Sequence, residues 1–302
     1  MKEDRLPGQG TRRPAAVVHL PPRLIAEDAL IASDSPAATL FCHPGVLVGG
    51  PRALLMQVAA PGVAAGVVEH SRYTEDPFSR LVATLTTVAT VAFAEPEARE
   101  AALRRLAARH RSVTGTTPSG APYSASDTGL STWVYATLVD SALAADRRWL
   151  GLLGVGQRRR FYEDAQRLGE ALGAPSGALP PTLDAFQEWM TSQMADLEVG
   201  QQALGIAASI SRLPFRRTWG PLGLVLEAVG EPASAVLTAD LMPPALRDAY
   251  GMSRPTAAQQ AVLSSATALS KVVARRTSGR PHPDGPALLA SRITRSAVKR
   301  AA

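Results

Sequence analysis

His110 closes a run rich in alanine and arginine, EPEAREAALRRLAARH, in which Leu103 and Leu106 precede it at helical spacing. The imidazole is therefore expected on or beside the apolar stripe of a helix, with Arg105 and Arg109 flanking it. A neutral imidazole in such a place can donate a nitrogen lone pair to a metal ion. It can equally be a core histidine held by hydrogen bonds, and its position alone leaves both interpretations open.

Arg80 and Thr84 lie four residues apart in the preceding apolar segment, and Thr87 and Val91 continue the same helical spacing. Side chains four residues apart share one face of a helix, so both groups can point into one pocket. There, a guanidinium can stabilise negative charge on oxygen and a hydroxyl can orient it. The structural alternative is an arginine that extends towards solvent and a threonine that bonds a carbonyl of its own helix.

A third set of polar side chains lies in the segment WVYATLVDS, and it comprises Trp133, Tyr135, Thr137, Asp140 and Ser141. These residues interrupt a segment that is otherwise apolar, which makes them candidates for an interior site. The simplest role for Asp140 is an ion pair with a nearby arginine, because a carboxylate is seldom buried without a partner.

Several familiar catalytic motifs are absent from the sequence. It has no GxxxxGK[ST] phosphate loop, no GxSxG turn and no HExxH pair, and the segment GLLGVG at residues 151–156 follows no strand. The single cysteine, Cys42, excludes a disulfide framework, and with His43 it supplies only half of a metal site. These absences argue against nucleophilic and zinc chemistry.

The net charge of +6 is concentrated at the two ends of the chain. Residues 1–24 contain five lysines and arginines against two acidic residues, and residues 271–302 contain eight against one. The part between them therefore carries a net charge of −4. This distribution is typical of solubilising tails, and it does not indicate a basic face built into the fold.

Apolar residues recur at helical spacing almost throughout, and alternating β-branched runs are scarce. We therefore expect an all-α, single-domain bundle of roughly ten helices. The pattern places helices at Arg23–Ser33, Pro51–His70, Asp76–Ala94, Pro96–Val113, Thr128–Trp149, Gly156–Leu172, Thr182–Gln202, Pro221–Val229, Ser234–Tyr250, Pro255–Arg276 and Pro286–Lys299. Residues 115–127 are expected to form a polar loop.

Three segments are expected along the chain. A helical domain over residues 25–276 should lie between a basic, flexible N-terminal extension (1–24) and a basic C-terminal tail (277–302). No apolar run reaches the roughly 18 residues of a membrane-spanning helix. The first 24 residues also lack the apolar stretch of a secretory signal, so a cytoplasmic location is expected.

Several blocks of the sequence occur in an order that resembles the MpaB-type oxygenases, which include the rubber (latex-clearing) oxygenases. The blocks are VGGPRALLMQVAAPGVAAGVVEHS, DPFSRLVATL, ARHRSVTG, PYSASD with WVYATLVDS, and LMPPALRD. Together they cover about residues 45–250. The resemblance implies an all-α fold that holds one b-type haem between its helices.

The resemblance also implies roles for individual residues. His110 aligns with the proximal iron ligand of the pattern RxxHxxxR, but Ala107 and Thr114 stand in place of the two arginines. Arg80 and Thr84 match the distal arginine and threonine of the rubber oxygenases, and Ala83 replaces the lysine before that threonine. This implies a distal position that is open or filled by water.

Two further departures concern histidines of the family. Where many relatives have QLAHP and WVHATL, this chain has Ala60 and Tyr135. Tyr135 and Trp133 are expected to contact the haem. A tyrosine can bind ferric haem or donate a proton beside it. Alternatively, the ring of Tyr135 fills the same packing position between helices.

The function that the resemblance implies is a haem b-dependent oxygenase. It would use dioxygen to oxidise a hydrophobic small molecule, including cleavage of a C=C bond, with His110 on the iron and Arg80 and Thr84 as catalytic groups. Two alternatives stay open: a haem-free helical binding or scaffold protein of the same fold, and basic ends that bind nucleic acid or an anionic membrane. No specific nucleic-acid partner is expected.

Overall fold

The computed structural model describes residues 25–71, 77–211 and 234–278. The helices are α1 (Pro36–Phe41), α2 (Gly50–Ala59), α3 (Pro61–His70), α4 (Pro77–Phe93), α5 (Pro96–Arg111), α6 (Thr128–Ala145), α7 (Val155–Ala171), α8 (Leu183–Ala195), α9 (Gln201–Ser211), α10 (residues 234–241), α11 (Pro244–Ala249) and α12 (Ala257–Thr277). A 3₁₀ helix (Pro44–Gly49), a π-helical turn (Asp146–Leu150) and the strands β1 (Thr114–Thr116) and β2 (Pro122–Ser124) complete the described elements. The predicted all-α, single-domain class is confirmed.

Helix α6 lies at the centre of the fold. Eleven of its 18 residues are buried, and they occur on all sides of the helix. A helix that is apolar all round must be covered all round. It is packed by α2, by α7 and by the 3₁₀ helix, and Val139 and Leu143 are fully buried within the same core as Met56 and Phe161.

The predicted first helix is wrong over its described part, because residues 25–35 form turns and bends. The amides of Ala26 and Ile31 donate hydrogen bonds to the carbonyls of Phe93 and Ala92, which hold the segment against the end of α4. The first helix begins only after Ser35, whose hydroxyl accepts the amide of Ala38 and so caps α1.

The predicted helix Pro51–His70 is two helices. Ala60 adopts an extended conformation (φ −77°, ψ 121°), which the steric demand of the following Pro61 favours. The chain turns there, so that the segments Pro44–Val58 and Pro61–His70 cross at 105°.

Prolines and glycines also divide two other predicted helices. Thr182–Gln202 is interrupted at residues 196–200, which end in Gly200, and Ser234–Tyr250 is interrupted at Met242 before two prolines. The predicted helices at 221–229 and 286–299 lie outside the described residues. The two basic ends fall there as well, apart from the last turn of α12, so their roles stay predictions.

A β-hairpin stands where a polar loop was expected. Thr114 pairs with Ser124, Gly115 with Tyr123 and Thr116 with Pro122, in antiparallel register. The turn uses Gly120 at φ 86°, a conformation that side chains with a Cβ rarely adopt. The hairpin packs against α3 and leads directly into α6, whose first turn is capped by Asp127.

The described ranges contain several apolar helices. No single helix there has the length and apolar character needed to span a bilayer, and only the bent pair Pro44–Val58 and Pro61–His70 meets that test, by length and composition alone.

Candidate functional site

Helices α4 and α5 form an antiparallel helical hairpin that positions Arg80 and His110. They pack against each other and are joined by only two residues, Ala94 and Glu95. Arg80 lies fourteen residues before Ala94, and His110 lies fourteen residues after Pro96. Because both helices rise about 1.5 Å per residue, the backbones of Arg80 and His110 stand at the same level of the hairpin.

His110 lies in the last turn of α5 and is half-buried. Burial lowers the pKa of its imidazole, and the positive charge of Arg109 lowers it further. The ring is therefore neutral at pH 7 and keeps a nitrogen lone pair. Within the described part of the chain, neither ring nitrogen takes part in a hydrogen bond or an ion pair.

The surroundings of His110 suit a metal that brings its own ligands. No group of three or more histidine, cysteine or acidic side chains among the described residues is placed to hold a metal ion. One neutral imidazole is too small a donor set for a bare ion, but it is a sufficient protein ligand for a porphyrin iron. The residues present at His110 therefore fit a haem better than a protein-ligated metal.

Thr84, the second predicted distal residue, lies on an exposed part of α4. The side chain of Arg80 lies outside the described residues. One turn further on, the Thr87 hydroxyl donates a hydrogen bond to the carbonyl of Ala83 at 2.8 Å. Val91 and Phe93 at the end of α4 are buried in the core.

Trp133 and Tyr135 lie on opposite sides of α6 and join it to its neighbours. The indole Nε1 of Trp133 donates to the carbonyl of Met56 on α2 at 3.1 Å, and the hydroxyl of Tyr135 donates to the carbonyl of Ala165 on α7 at 2.6 Å. Burial, with smaller contributions from Tyr162 and Asp164, raises the pKa of Tyr135 far above its ordinary value. These contacts give both side chains a packing role, and their predicted contact with haem stays a prediction.

A close approach of α6 and α7 explains one glycine. A Cβ added at Gly169 would lie 2.7 Å from Cε1 of Tyr135, which is shorter than any normal contact. The tyrosine ring therefore occupies the space in front of this glycine, and the two residues are complementary in size.

Glu69, His70 and Tyr123 form a polar cluster beside the end of α5 that sequence analysis missed. The Tyr123 hydroxyl donates to Oε2 of Glu69 at 2.5 Å, and Nε2 of His70 lies 3.1 Å from the carbonyl oxygen of Thr114. Burial raises the pKa of Tyr123 to about 12, and the Glu69 carboxylate adds to the effect. The pair Glu69-His70 at the end of an apolar helix was the available signal.

The Tyr123–Glu69 hydrogen bond should contribute to stability only while the phenol is protonated. Tyr123→Phe is expected to lower the free energy of unfolding by about 1 kcal/mol, since Glu69 is partly exposed and regains water. Because the folded-state pKa lies above the unfolded value of about 10, the contribution is complete below pH 10 and disappears as the pH rises through about 12. Urea unfolding of both proteins at pH 8 and pH 11 measures this. An equal difference at both pH values would contradict it.

A second missed element is the buried ion pair of Arg52 and Asp140, which are 4% and 6% exposed. The guanidinium of Arg52 donates to Oδ2 of Asp140 at 2.5 Å, to the hydroxyl of Ser141 at 2.7 Å and to the carbonyl of Leu241 at 2.9 Å. The predicted ion pair of Asp140 is thus confirmed, and its partner is on α2. This arginine ties α2 and α6 to the end of α10.

His43 has a structural role. Its Nδ1 accepts the amide of Gly45 at 3.0 Å and so caps the 3₁₀ helix, and its Nε2 lies 3.4 Å from the hydroxyl of Thr277. Burial lowers the pKa of His43. Both ring nitrogens are therefore used within the fold, which agrees with the sequence-based argument against a metal site at Cys42 and His43.

Comparisons with known proteins give a family match and similar proteins from two mycobacteria. The family described as "ER-bound oxygenase mpaB/B'/Rubber oxygenase, catalytic domain" matches residues 41–273. Uncharacterized proteins of Mycobacterium bovis and Mycobacterium tuberculosis are each 31% identical over 180 residues, which cover 57% of this chain and 71% of theirs. No solved structure matches the chain significantly.

Proposed function

The chain belongs to the MpaB/rubber oxygenase catalytic-domain family, and from this premise we propose that it is a haem b-dependent oxygenase acting on a hydrophobic small molecule. Membership of an oxygenase family makes it an oxidoreductase that uses dioxygen. The haem, the hydrophobic substrate and the assignment of residues are the proposal. The observation that carries it is the half-buried, neutral imidazole of His110, which has no hydrogen-bonding partner among the described residues.

In this proposal His110 is the protein's ligand to the haem iron. Its burial keeps the imidazole neutral, so that no proton competes for the nitrogen lone pair at pH 7. Its place in the last turn of α5 fixes the ring at the end of a helical hairpin. When bound, the haem would supply activation of dioxygen.

Arg80 would act from the paired helix of the hairpin. Its backbone stands level with that of His110, so Arg80 would be available to a haem held by His110. A guanidinium there would stabilise negative charge that develops on oxygen. Thr84, one turn further along α4, would orient the oxygen by a hydrogen bond from its exposed hydroxyl.

The substrate class follows from the apolar character of the neighbouring helix surface. Leu85 and Val88 on α4 are partly buried, and Val88 packs against the core together with Leu103 of α5. An apolar lining favours a substrate of hydrocarbon character and keeps water from the reaction. We propose an isoprenoid-like alkene whose C=C bond is oxidised, including cleavage.

A labelling experiment tests this reaction. Haem-loaded protein incubated with an apolar isoprenoid alkene and ¹⁸O₂ is expected to consume dioxygen and to give products that carry ¹⁸O, measured by mass spectrometry. The saturated analogue of the same length serves as control and should stay intact, since it has no C=C bond. Consumption of dioxygen without any labelled product from the alkene would contradict the proposal.

A haem-free binding protein is the second candidate, and one observation favours it. Ala107 and Thr114 replace the two arginines of the family pattern, so these positions carry no positive charge. Both residues are exposed. Arg109 and Arg111, the two neighbours of His110 in the sequence, are basic but exposed. Protein that stays colourless after growth in haem-replete cells and after addition of haemin would favour this candidate.

A further inference from the structure

A cavity of about 500 Å³ opens at the C-terminal end of α6, at some distance from His110. It lies between the start of α2, the π-helical turn, the start of α7 and one face of α8. Its volume is within the range of about 300–1,000 Å³ that is typical of small-molecule sites. The function proposed above uses none of its residues.

The acidic groups at this cavity are already paired. Asp140 is held by Arg52, and Asp184 lies 3.6 Å from Arg159. Asp146, beneath the wall, is 0% exposed and accepts the amides of Leu152 and Leu153 with one oxygen and Nε of Arg158 with the other. These carboxylates therefore leave no negative charge unmatched.

Arg147 is the basic group at the cavity that remains. Within the described residues its guanidinium has neither a hydrogen bond nor an ion pair, and the side chain lines the cavity. Arg147 is exposed at the mouth of the cavity; partial desolvation there lowers its pKa, and the nearby Arg158 and Arg52 lower it further against the attraction of Asp140 and Asp146. The cavity thus carries one positive charge beyond its internal pairs, in a place where an anion would be attracted.

The wall of the cavity that α8 forms is mixed, because Asp184, Gln187 and Thr191 line it together with three apolar residues. Leu183, Met190 and Met194 follow one another at helical spacing on α8, and the first two are buried. Methionine side chains adapt to ligands of different shape because they are unbranched and polarisable. Apolar side chains in the same cavity as a single unmatched cation suit a ligand with one anionic end and one hydrocarbon end.

The cavity is separated from the His110 region by the length of α6. The hairpin that follows His110 joins the N-terminal end of α6, where Ala125 donates to the carbonyl of Val113. Asp140 and Arg147 belong to the other end. A helix of 18 residues is about 27 Å long, so the two places are not parts of one pocket.

We propose that this cavity binds an amphipathic monoanion, with its oxyanion head on Arg147 and its hydrocarbon chain along Leu183, Met190 and Met194. The shared chemistry is a singly charged carboxylate or phosphate head on an apolar chain. The proposal does not depend on the haem or on the oxygenase reaction.

Binding of decanoate to the full-length protein tests the proposal, with isothermal titration calorimetry as the measurement. We expect one site per chain, and at least about tenfold weaker binding by Arg147→Gln, because a charge-assisted hydrogen bond is lost. Arg160→Gln is the matched control. Arg160 is exposed on α7 directly after the lining residues Arg158 and Arg159, but it does not line the cavity. Met194→Glu, which places a carboxylate beside the apolar side chains of Leu183 and Met190, should also weaken binding tenfold or more.

Three companion ligands separate the possible sources of binding. Decanol should bind at least about tenfold more weakly than decanoate, since it lacks the charge. Decyl methyl phosphate, a diester that carries a single charge as decanoate does, would assign the head to a phosphate if it binds more tightly than decanoate, and the reverse order would assign it to a carboxylate. Inorganic phosphate that binds as tightly as either would overturn the amphipathic ligand. Unchanged decanoate binding in Arg147→Gln, or competition between decanoate and haemin, would overturn the site itself.

Discussion

Asp140→Leu is expected to lower the free energy of unfolding by about 3–5 kcal/mol, one of the largest effects of a single substitution in this chain. The variant leaves the guanidinium of Arg52 in the core without its carboxylate, and Arg52 is only 4% exposed. The hydrogen bonds to Ser141 and Leu241 remain, but neither partner carries a compensating charge. Chemical denaturation monitored by circular dichroism measures the loss.

The same argument predicts the result of a double-mutant cycle. Arg52→Met combined with Asp140→Leu removes both charges, so the double variant should be more stable than either single variant. The exposed pair Arg104 and Glu100 is the matched control, and its single variants should change stability by no more than about 0.5 kcal/mol. Additive losses in the Arg52–Asp140 cycle would show that the two side chains do not act as a pair.

Arg80→Gln is expected to reduce turnover by about 10²–10³-fold while leaving the haem content unchanged. The reason is that the proposed role of Arg80 is to stabilise negative charge on oxygen, and glutamine is a shorter polar side chain that carries no charge. The affinity of the ferric protein for azide offers a readout that needs no substrate. It should fall at least about tenfold, because the anion loses its charged partner.

Arg104→Gln controls for the general loss of a positive charge from the α4–α5 hairpin. Arg104 is exposed on α5 and pairs with Glu100, so azide affinity and turnover should be unaffected. Equal azide affinities in wild type and Arg80→Gln would exclude Arg80 from the distal face. A parallel loss of haem from Arg80→Gln would assign it to cofactor binding instead.

Local sequence patterns were sufficient for the fold class and for the helices that carry the candidate site. The recurrence of Leu103, Leu106 and His110 predicted an imidazole on or beside the apolar stripe of a helix, and His110 is half-buried in the last turn of α5. The segment WVYATLVDS was interpreted as an otherwise apolar helix that carries a few polar side chains, and eleven of the 18 residues of α6 are buried. Helical periodicity predicts burial because the face of the helix on which a residue lies determines whether it packs against the core.

Contacts between distant parts of the chain could not be predicted in this way. Arg52 meets Asp140 across 88 positions and the carbonyl of Leu241 across 189, and helical spacing carries no information about such pairs. The β-hairpin was missed because its strands are three residues long and polar at their ends. Pro61 is a sequence signal for the 105° turn at Ala60. The apolar pattern continues across this proline, and one helix was therefore predicted where there are two.

The absorption spectrum of His110→Gly, compared with wild type after reconstitution with haemin, tests the central claim most directly. We expect a Soret band in wild type, loss or displacement of that band in His110→Gly, and its recovery when free imidazole fills the vacated position. His70→Ala, which alters a histidine near the same end of α5, should keep the wild-type spectrum. An unchanged Soret band in His110→Gly, or wild-type protein that acquires none, would contradict the assignment of His110 as the haem ligand.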